Sequence, residues 1–379
     1  MSGVLSQGLI FEIFSRLPSK SLLRFKSLSK SIRSCIASPA FIRMLTLLSP
    51  KMILITHQGK HCIKKFYTFH SEDQFPLFPR RGYIGLTADE FPYSKYSLCV
   101  GSCDGILCIF DFKEFKEYNI NLWNPSIRRK LTLPDCPASP YPEEFPYGVH
   151  RVGFGFHLVS DDYKIVSLPK LGRTGKPSYI YTMKTGAWCK IASPTPRYCE
   201  VRMRRCFVNG ALHWVVFGEF TEACYCDYIL TINLSTEVFG TIALPLPGPG
   251  YGSELTTIQG CLAVISINND SDDNWIWVMR EYNNNASWFV FLKSDKNLGK
   301  GPFERVLQAT SDGRLFFYTP CEGFKVYDPK RGTLSRLQIL DVESLVFDIK
   351  PIVESLRLLD IGTPCQGSQV SILEGTSFH

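Results

Sequence analysis

The chain has no apolar run long enough to cross a bilayer and no recognisable signal peptide at its N-terminus. We therefore expect a protein of the cytoplasm or nucleus, whose 14 cysteines are free thiols. The pairs Cys99/Cys103 and Cys224/Cys226 lack the spacing of a zinc site, and no histidine cluster completes them. A glycine-rich phosphate loop with its lysine is also missing. We expect no metal, no other cofactor and no membrane partner.

Candidate catalytic motifs are scarce, and each has a simpler structural interpretation. Residues 101–105 (GSCDG) imitate a nucleophile elbow with Cys103 in the middle, but such an elbow requires a helix after it. Residues 106–110 are apolar and predict a strand, so a hairpin turn is favoured. His213 lies in an apolar strand and is expected to be structural. These patterns predict no catalytic residues and no enzyme activity.

Positive charge is concentrated at one end of the chain. Of the net charge of +7, residues 1–50 contribute seven basic side chains against the single acid Glu12, which gives 7 − 1 = +6. A basic helical segment can bind nucleic acid or an acidic protein. No recognition-helix, zinc-finger or aromatic RNA-binding pattern accompanies it, so we expect an acidic protein partner and no nucleic acid.

Residues 5–48 predict three short amphipathic helices. Two apolar stripes recur at helical spacing, namely Leu9, Ile10, Ile13, Phe14 and Leu17, then Leu22, Phe25, Leu28, Ile32 and Ile36. Pro18 ends the first helix, and Ser38 followed by Pro39 begins the third. Helices this short bury too little apolar surface to be stable alone. They must pack either on the rest of the chain or on another protein.

After residue 50 the pattern changes to short alternating segments separated by turns. One theme recurs: two strands around a Gly or Asn-Gly turn, a third strand, a polar turn, and a fourth strand. The turn anchors Asn124, Lys184, Ser235, Asn284 and Pro329 are separated by 60, 51, 49 and 45 residues. This period predicts a kelch-like β-propeller of about six to seven blades, one of which combines strands from both ends. A pair of antiparallel sandwiches is the alternative.

The N-terminal segment resembles the plant F-box. The likeness is carried by residues 15–25 (SRLPSKSLLRF), 28–31 (LSKS) and 38–41 (SPAF). It implies a module that docks on the Skp-type adaptor of a cullin–RING ubiquitin ligase. Ser6 and Gly8 stand where that family has proline and an acidic residue. Ile32 replaces a tryptophan, so we expect weaker adaptor binding.

The body of the chain is similar to the F-box-associated interaction domain of plant F-box proteins. The likeness extends from about residue 97 to residue 360 and is carried by these motifs: 101–108 (GSCDGILC), 122–126 (LWNPS), 153–156 (GFGF), 162–166 (DYKIV), 209–214 (NGALHW) and 353–356 (VESL). It implies a domain that recognises a target protein. The likeness indicates this role without identifying the target.

Together these features predict a three-helix F-box over residues 1–48, followed by a kelch-like β-propeller over residues 50–370. The implied function is substrate recognition in an SCF-type (Skp–cullin–F-box) ubiquitin ligase, as a non-catalytic adaptor. Through the Skp-type adaptor the chain would reach the cullin and the RING protein. A propeller interaction protein outside ubiquitin ligation is the main alternative. A propeller enzyme is the third, although no polar cluster in the sequence supports it.

The candidate site lies on the predicted helices and combines an adaptor face with its supporting core, which the sequence does not separate. Its members are Leu9, Ile10, Ile13, Leu17, Pro18, Leu22, Leu23, Phe25, Leu28, Ile32, Pro39 and Phe41. The target-binding residues are not identified. The longer connections of the propeller, rich in proline and aromatic residues, are candidates for them: 71–96, 135–150, 170–178, 218–227 and 246–254.

Overall fold

The computed structural model divides the chain into two compact units. The first unit contains Met1–Lys113, Tyr118–Leu133 and Glu343–His379, and the second contains Glu114–Glu117 and Pro134–Val342. The residues that the structure describes are 7–59, 65–72, 84–86, 97–113, 117–137, 151–169, 177–194, 198–218, 227–245, 251–268, 274–293, 305–310, 312–319, 323–336, 344–361 and 363–364. The predicted domain end at residue 370 lies outside these ranges.

The described part of the N-terminus forms four helices where the sequence analysis predicted three. They are α1 (Gln7–Ser15), α2 (Ser19–Phe25), α3 (Lys30–Ala37) and α4 (Pro39–Leu48). The second apolar stripe is divided because the Ser29 hydroxyl accepts a hydrogen bond from the Ile32 amide at 3.1 Å and thereby begins a new helix. Ser38 caps α4 in the same way, through the Phe41 amide at 3.2 Å.

None of these helices is individually long and apolar enough to cross a membrane, and the described residues contain no other α-helix. Helices α3 and α4 have the length and apolar composition of a membrane span only when they are taken together, and the chain bends by 61° between them. The pair also buries Ile36, Phe41 and Leu45 in the protein core.

Two sheets complete the first unit. One has the order β24-β1-β2-β3 and the other the order β25-β7-β6-β5-β4. Their strands are β1 (Lys51–Gly59), β2 (Lys65–Ser71), β3 (Ile84–Leu86), β4 (Leu98–Cys103), β5 (Ile106–Lys113), β6 (Glu117–Asn124), β7 (Arg129–Thr132), β24 (Ser344–Val353) and β25 (Thr363–Pro364). Because β24 pairs antiparallel with β1, the first sheet combines strands from both ends of the chain, as predicted.

The second unit contains four further sheets, with the orders β11-β10-β9-β8, β12-β13-β14-β15, β16-β17-β18-β19 and β20-β21-β22-β23. Their strands are β8 (Val152–His157), β9 (Asp162–Ser167), β10 (Ser178–Thr182), β11 (Ala187–Ile191), β12 (Tyr198–Val208), β13 (Ala211–Gly218), β14 (Asp227–Asn233), β15 (Phe239–Ala243), β16 (Tyr251–Ile258), β17 (Cys261–Asn268), β18 (Trp275–Met279), β19 (Trp288–Lys293), β20 (Arg305–Ala309), β21 (Leu315–Thr319), β22 (Gly323–Asp328) and β23 (Thr333–Arg336).

Each sheet is an antiparallel arrangement of four strands, with the short β25 added to one of them. Six such sheets among the described residues form a six-bladed β-propeller, which confirms the predicted fold class and sets the blade number at the lower end of the expected range. The β4–β5 connection is a hairpin turn in which Asp104 and Gly105 have φ of 49° and 78°. A strand follows the turn, so the GSCDG segment is not a nucleophile elbow.

The motifs of the second unit contribute to packing between neighbouring blades. Trp214 of β13 is fully buried in a cluster with Leu212, Val216 and Leu230. Gly153 of β8 lies so close to it that a Cβ there would be 2.5 Å from a carbon of the indole ring. The absence of a side chain at residue 153 therefore allows β8 to pack directly against Trp214.

Candidate functional site

The inner face of the four helices is sealed by the protein's own chain. Four helix residues, Leu22, Ile36, Phe41 and Leu45, are at most 2% exposed and share one cluster with Ile127, Leu356 and Leu359. Aromatic pairs reinforce this cluster: Phe11 meets Phe41 edge-on at 5.0 Å between ring centroids, and Phe14 stacks on Phe25 at 5.5 Å. The helices therefore take part of their core from the strand-rich body of the same unit.

The outer face of the helices presents apolar side chains to solvent. Leu9 and Ile13 of α1 are each 46% exposed, and Leu28, between α2 and α3, is 64% exposed. Isolated exposed leucines are ordinary in proteins, but apolar residues that recur along one helix face indicate a contact surface. The apolar residues of the two predicted stripes are thus divided into a buried inner group and an exposed outer group.

The structure distributes the twelve predicted site residues over three levels of exposure. The exposed ones are Leu9, Ile13, Pro18, Leu28 and Pro39; the half-buried ones are Ile10, Leu17, Leu23, Phe25 and Ile32; the buried ones are Leu22 and Phe41. Of the half-buried group, all except Ile10 pack against the inner cluster. The exposed residues can therefore contact a partner directly, whereas Leu22 and Phe41 lie in the core and stabilise the helices.

Most basic side chains of the helices are exposed, as are the apolar residues above. The exposed ones are Arg16, Lys20, Arg24, Lys30, Arg33 and Arg43. Glu12, the single acid of the first 50 residues, pairs with Arg16 at 2.9 Å on the surface of α1. Because these six basic side chains are opposed by only one acid, the helices carry a positive net charge. An acidic partner with an apolar groove would complement it.

The C-terminal residues Glu354, Leu356 and Leu359 contact the helices, and the sequence analysis did not assign them to the site. The Ser19 amide at the start of α2 donates a hydrogen bond to Glu354 Oε1 at 3.0 Å. The residue that precedes α2 is Pro18, and its side chain has no acceptor for this amide. Burial raises the pKa of Glu354, and the hydrogen bonds from Ser19 partly oppose that rise. The VESL motif was the available signal, but the motif alone does not indicate a contact more than 300 residues away.

No catalytic arrangement is found among the described residues of the propeller. His213 Nε2 lies 2.9 Å from the Tyr282 hydroxyl, and burial lowers the pKa of this histidine to about 4. Burial also raises the pKa of Cys206, which pairs with His213 across β12 and β13, to about 12. At neutral pH this places an uncharged imidazole beside a protonated thiol, which is the opposite of an activated cysteine.

The described ranges contain no group of three or more His, Cys, Asp or Glu side chains that could hold a metal ion. Cys224 and Cys226, which the sequence analysis considered as a metal pair, lie outside those ranges, as does Ser6. The same holds for most of the connections proposed for target binding. Only 71–72, 84–86, 135–137, 177–178, 218, 227 and 251–254 of them are described.

Two family models match the chain. The F-box domain matches residues 5–44, and the F-box associated beta propeller domain matches residues 85–322. These ranges contain the four helices from residue 7 to residue 44 and most of the blades. The second match alone covers more than half of the chain.

Similar proteins are found in Arabidopsis thaliana. A putative F-box protein is 27% identical over 67% of this chain and 64% of its own length. An F-box/kelch-repeat protein is 27% identical over 85% of this chain and 86% of its own length. A second putative F-box protein is 30% identical over 62% of this chain, a match that spans about half (49%) of that relative. The chain belongs to the plant F-box proteins that carry an F-box associated β-propeller domain.

Proposed function

We propose that this protein is the substrate-recognition subunit of an SCF-type ubiquitin ligase. The observation that supports the proposal best is the exposure of the apolar residues Leu9, Ile13 and Leu28 on a helical module that matches the F-box. The positive net charge of the helices suits an acidic Skp-type adaptor, through which the cullin and the RING protein would be reached.

In this proposal the protein performs no bond chemistry itself. The propeller holds a target protein in the complex, and the target's lysine thereby remains near a charged ubiquitin-conjugating enzyme. Holding two reactants together raises their effective concentration and turns an encounter between separate molecules into a local one. The His213–Cys206 pair is buried and uncharged, so it offers no activated nucleophile of the kind that a hydrolase uses.

We further propose that the target binds at the connections between strands of the propeller, in the cytoplasm or the nucleus. Loops that project from a rigid scaffold commonly carry the binding residues of a domain. Proximity labelling in the native tissue, with and without proteasome inhibition, tests this part. Proteins that are labelled and also accumulate under inhibition are the expected targets. A labelled set that does not change under inhibition would contradict target degradation.

Adaptor binding is tested with the purified full chain and a Skp-type adaptor. Ile13→Asp and Leu28→Asp are expected to weaken binding at least tenfold, because each places a carboxylate in an apolar contact. Val159→Asp is the matched control, since Val159 is 86% exposed in the second unit. Leu17 is a poorer choice because it packs against the inner cluster, where a charge would also unfold the helices.

The sealed inner face favours a second candidate function. Because Leu22 and Phe41 are covered by the chain itself, the helices could serve only as a cap on a propeller interaction protein outside ubiquitin ligation. A wild-type chain that shows no affinity for any Skp-type adaptor would support this candidate and remove the ligase proposal.

A further inference from the structure

We propose that residues 353–360, here called the C-terminal segment, hold the F-box helices in the arrangement that binds the adaptor. Asn124, Glu354 and Leu356 are then positioning residues for the adaptor site, although none of them contacts the adaptor. The part of this inference that concerns binding rests on the proposed function; the part that concerns the helices does not.

The C-terminal segment is fixed to the blade formed by β4–β7. Asn124, at the end of β6, is fully buried, and its Nδ2 lies 3.0 Å from the Ser355 carbonyl oxygen and 2.8 Å from the Arg357 carbonyl oxygen. Its Oδ1 accepts the Ser126 amide at 2.9 Å, so the side chain is held on both sides. The LWNPS motif therefore binds the VESL motif across more than 200 residues of sequence.

A second contact with this blade comes from the β4–β5 turn. Gly105 has a φ of +78°, and a Cβ there would collide with the Val353 carbonyl oxygen and approach the Ser355 Oγ to 2.6 Å. The turn backbone can lie this close to the C-terminal segment because residue 105 has no side chain. Just before the segment, in β24, the Pro351 carbonyl oxygen accepts a hydrogen bond from the Ser102 hydroxyl of β4 at 2.7 Å.

The same segment contacts the helices through other residues. Glu354 accepts the Ser19 amide at the start of α2, and Leu356 and Leu359 complete the cluster that contains Leu22 and Phe41. Asp360 meets Lys26 at 3.3 Å, but the Asp360 side chain is more than half exposed and this pair contributes little. Successive residues thus have different partners: Ser355 binds the blade, whereas Glu354 and Leu356 bind the helices.

This arrangement has a consequence for binding at the outer face. Four short helices do not bury enough apolar area to fix their own arrangement, so the buried leucines of the C-terminal segment supply part of what holds them. Without these leucines, Leu22 and Phe41 would be partly exposed to water and the spacing between α1 and α2 would no longer be defined. Leu9, Ile13 and Leu28 would then present no single surface to the adaptor.

The test measures amide hydrogen exchange and adaptor affinity in the full-length chain. Leu356→Ala is expected to accelerate exchange in α1–α4 at least tenfold and to weaken adaptor binding at least tenfold. The matched control is Leu315→Ala, a leucine of equal burial in a cluster of the second unit, which is expected to leave exchange in the helices unchanged. A milder pair is Glu354→Ala against Asp360→Ala, where only the first removes the acceptor of the Ser19 amide and is expected to accelerate exchange at the start of α2.

The outcomes separate the two proposals. Unchanged helix exchange in both Leu356→Ala and Glu354→Ala would overturn the positioning role, whatever happens to binding. Tighter adaptor binding by Leu356→Ala would also overturn it, because the segment would then compete with the adaptor. If the wild-type chain binds no adaptor while Leu356→Ala still loosens the helices, the proposed function fails and the structural role stands.

Discussion

Lowering the pH is expected to destabilise the propeller through His213, a buried residue of the NGALHW motif. Burial lowers the pKa of this histidine from 6.5 to about 4, so the folded protein favours the neutral imidazole. The unfolded chain takes up a proton near pH 6.5, whereas the folded chain does so only near pH 4. The stability contributed by the neutral histidine is therefore fully present above about pH 6.5 and is lost as the pH falls towards 4.

The size of this loss follows from the two pKa values. A shift of one pKa unit corresponds to about 1.4 kcal/mol, so the complete loss is roughly 3 kcal/mol. At pH 5 the linkage relation gives a loss of about 2 kcal/mol relative to pH 8. That is a substantial part of the total stability of an ordinary domain. Other groups also titrate in this range, so a comparison with a matched variant is required.

The assay is urea unfolding at several pH values between 8 and 4.5, for the wild type and for His213→Gln. Glutamine keeps a polar group near the Tyr282 hydroxyl but does not titrate. The difference between the two unfolding free energies is expected to change by about 2 kcal/mol between pH 8 and pH 5. A constant difference, or an NMR titration of the His213 ring with a midpoint near 6.5, would refute the reasoning.

Three further predictions concern packing. Gly105→Ala and Gly210→Ala both place alanine at a positive φ (+78° and +72°), but only the new Cβ at residue 105 would meet other atoms. The free energy of unfolding should fall by about 1–2 kcal/mol in Gly210→Ala and by roughly 1–3 kcal/mol more in Gly105→Ala. Equal losses would contradict the contact between Gly105 and Val353. Phe41→Ala should lower the stability of the helices, measured by amide hydrogen exchange, by about 3–5 kcal/mol, whereas Leu28→Ala at an exposed position should change it by less than about 0.5 kcal/mol. Similar values for both variants would contradict the division into a buried and an exposed face. Gly153→Ala should destabilise the second unit by about 1–3 kcal/mol and shift its tryptophan fluorescence, because the new Cβ would meet Trp214. A fluorescence spectrum and an unfolding midpoint equal to those of the wild type would contradict the close packing of β8 on Trp214.

The blades were predictable from sequence because their information is local. A strand pair such as β4 and β5 shows its alternation and its turn within 16 residues, and the Asp-Gly turn requires a positive φ that few other residues adopt. The same holds for β12 and β13 around Asn209 and Gly210. The break between α2 and α3 was missed because the apolar spacing continues across it, and the hydroxyl of Ser29, not the apolar pattern, decides where α3 begins.

The division of the candidate site could not be predicted, because periodicity identifies an apolar face but not what covers it. Leu22 and Leu28 occupy the same predicted stripe, yet one is fully buried and the other is 64% exposed. The difference depends on Leu356 and Leu359, which come from the opposite end of the chain. Such contacts leave no trace in a single sequence except as an unexplained motif, which is what VESL was.

The pairing of β1 with β24 also constrains how the protein is made. Strand β1 remains unpaired on this side until β24 is synthesised, roughly 300 residues later. At 5–20 residues per second, this interval lasts about 15–60 s. During this interval the apolar helices on the nascent chain lack the leucines that seal them and are exposed to chaperones. A chain that terminates before residue 344 would lack both the strand that completes the first blade and the cover of the helices. Premature termination would therefore yield an aggregation-prone fragment instead of a free adaptor-binding module.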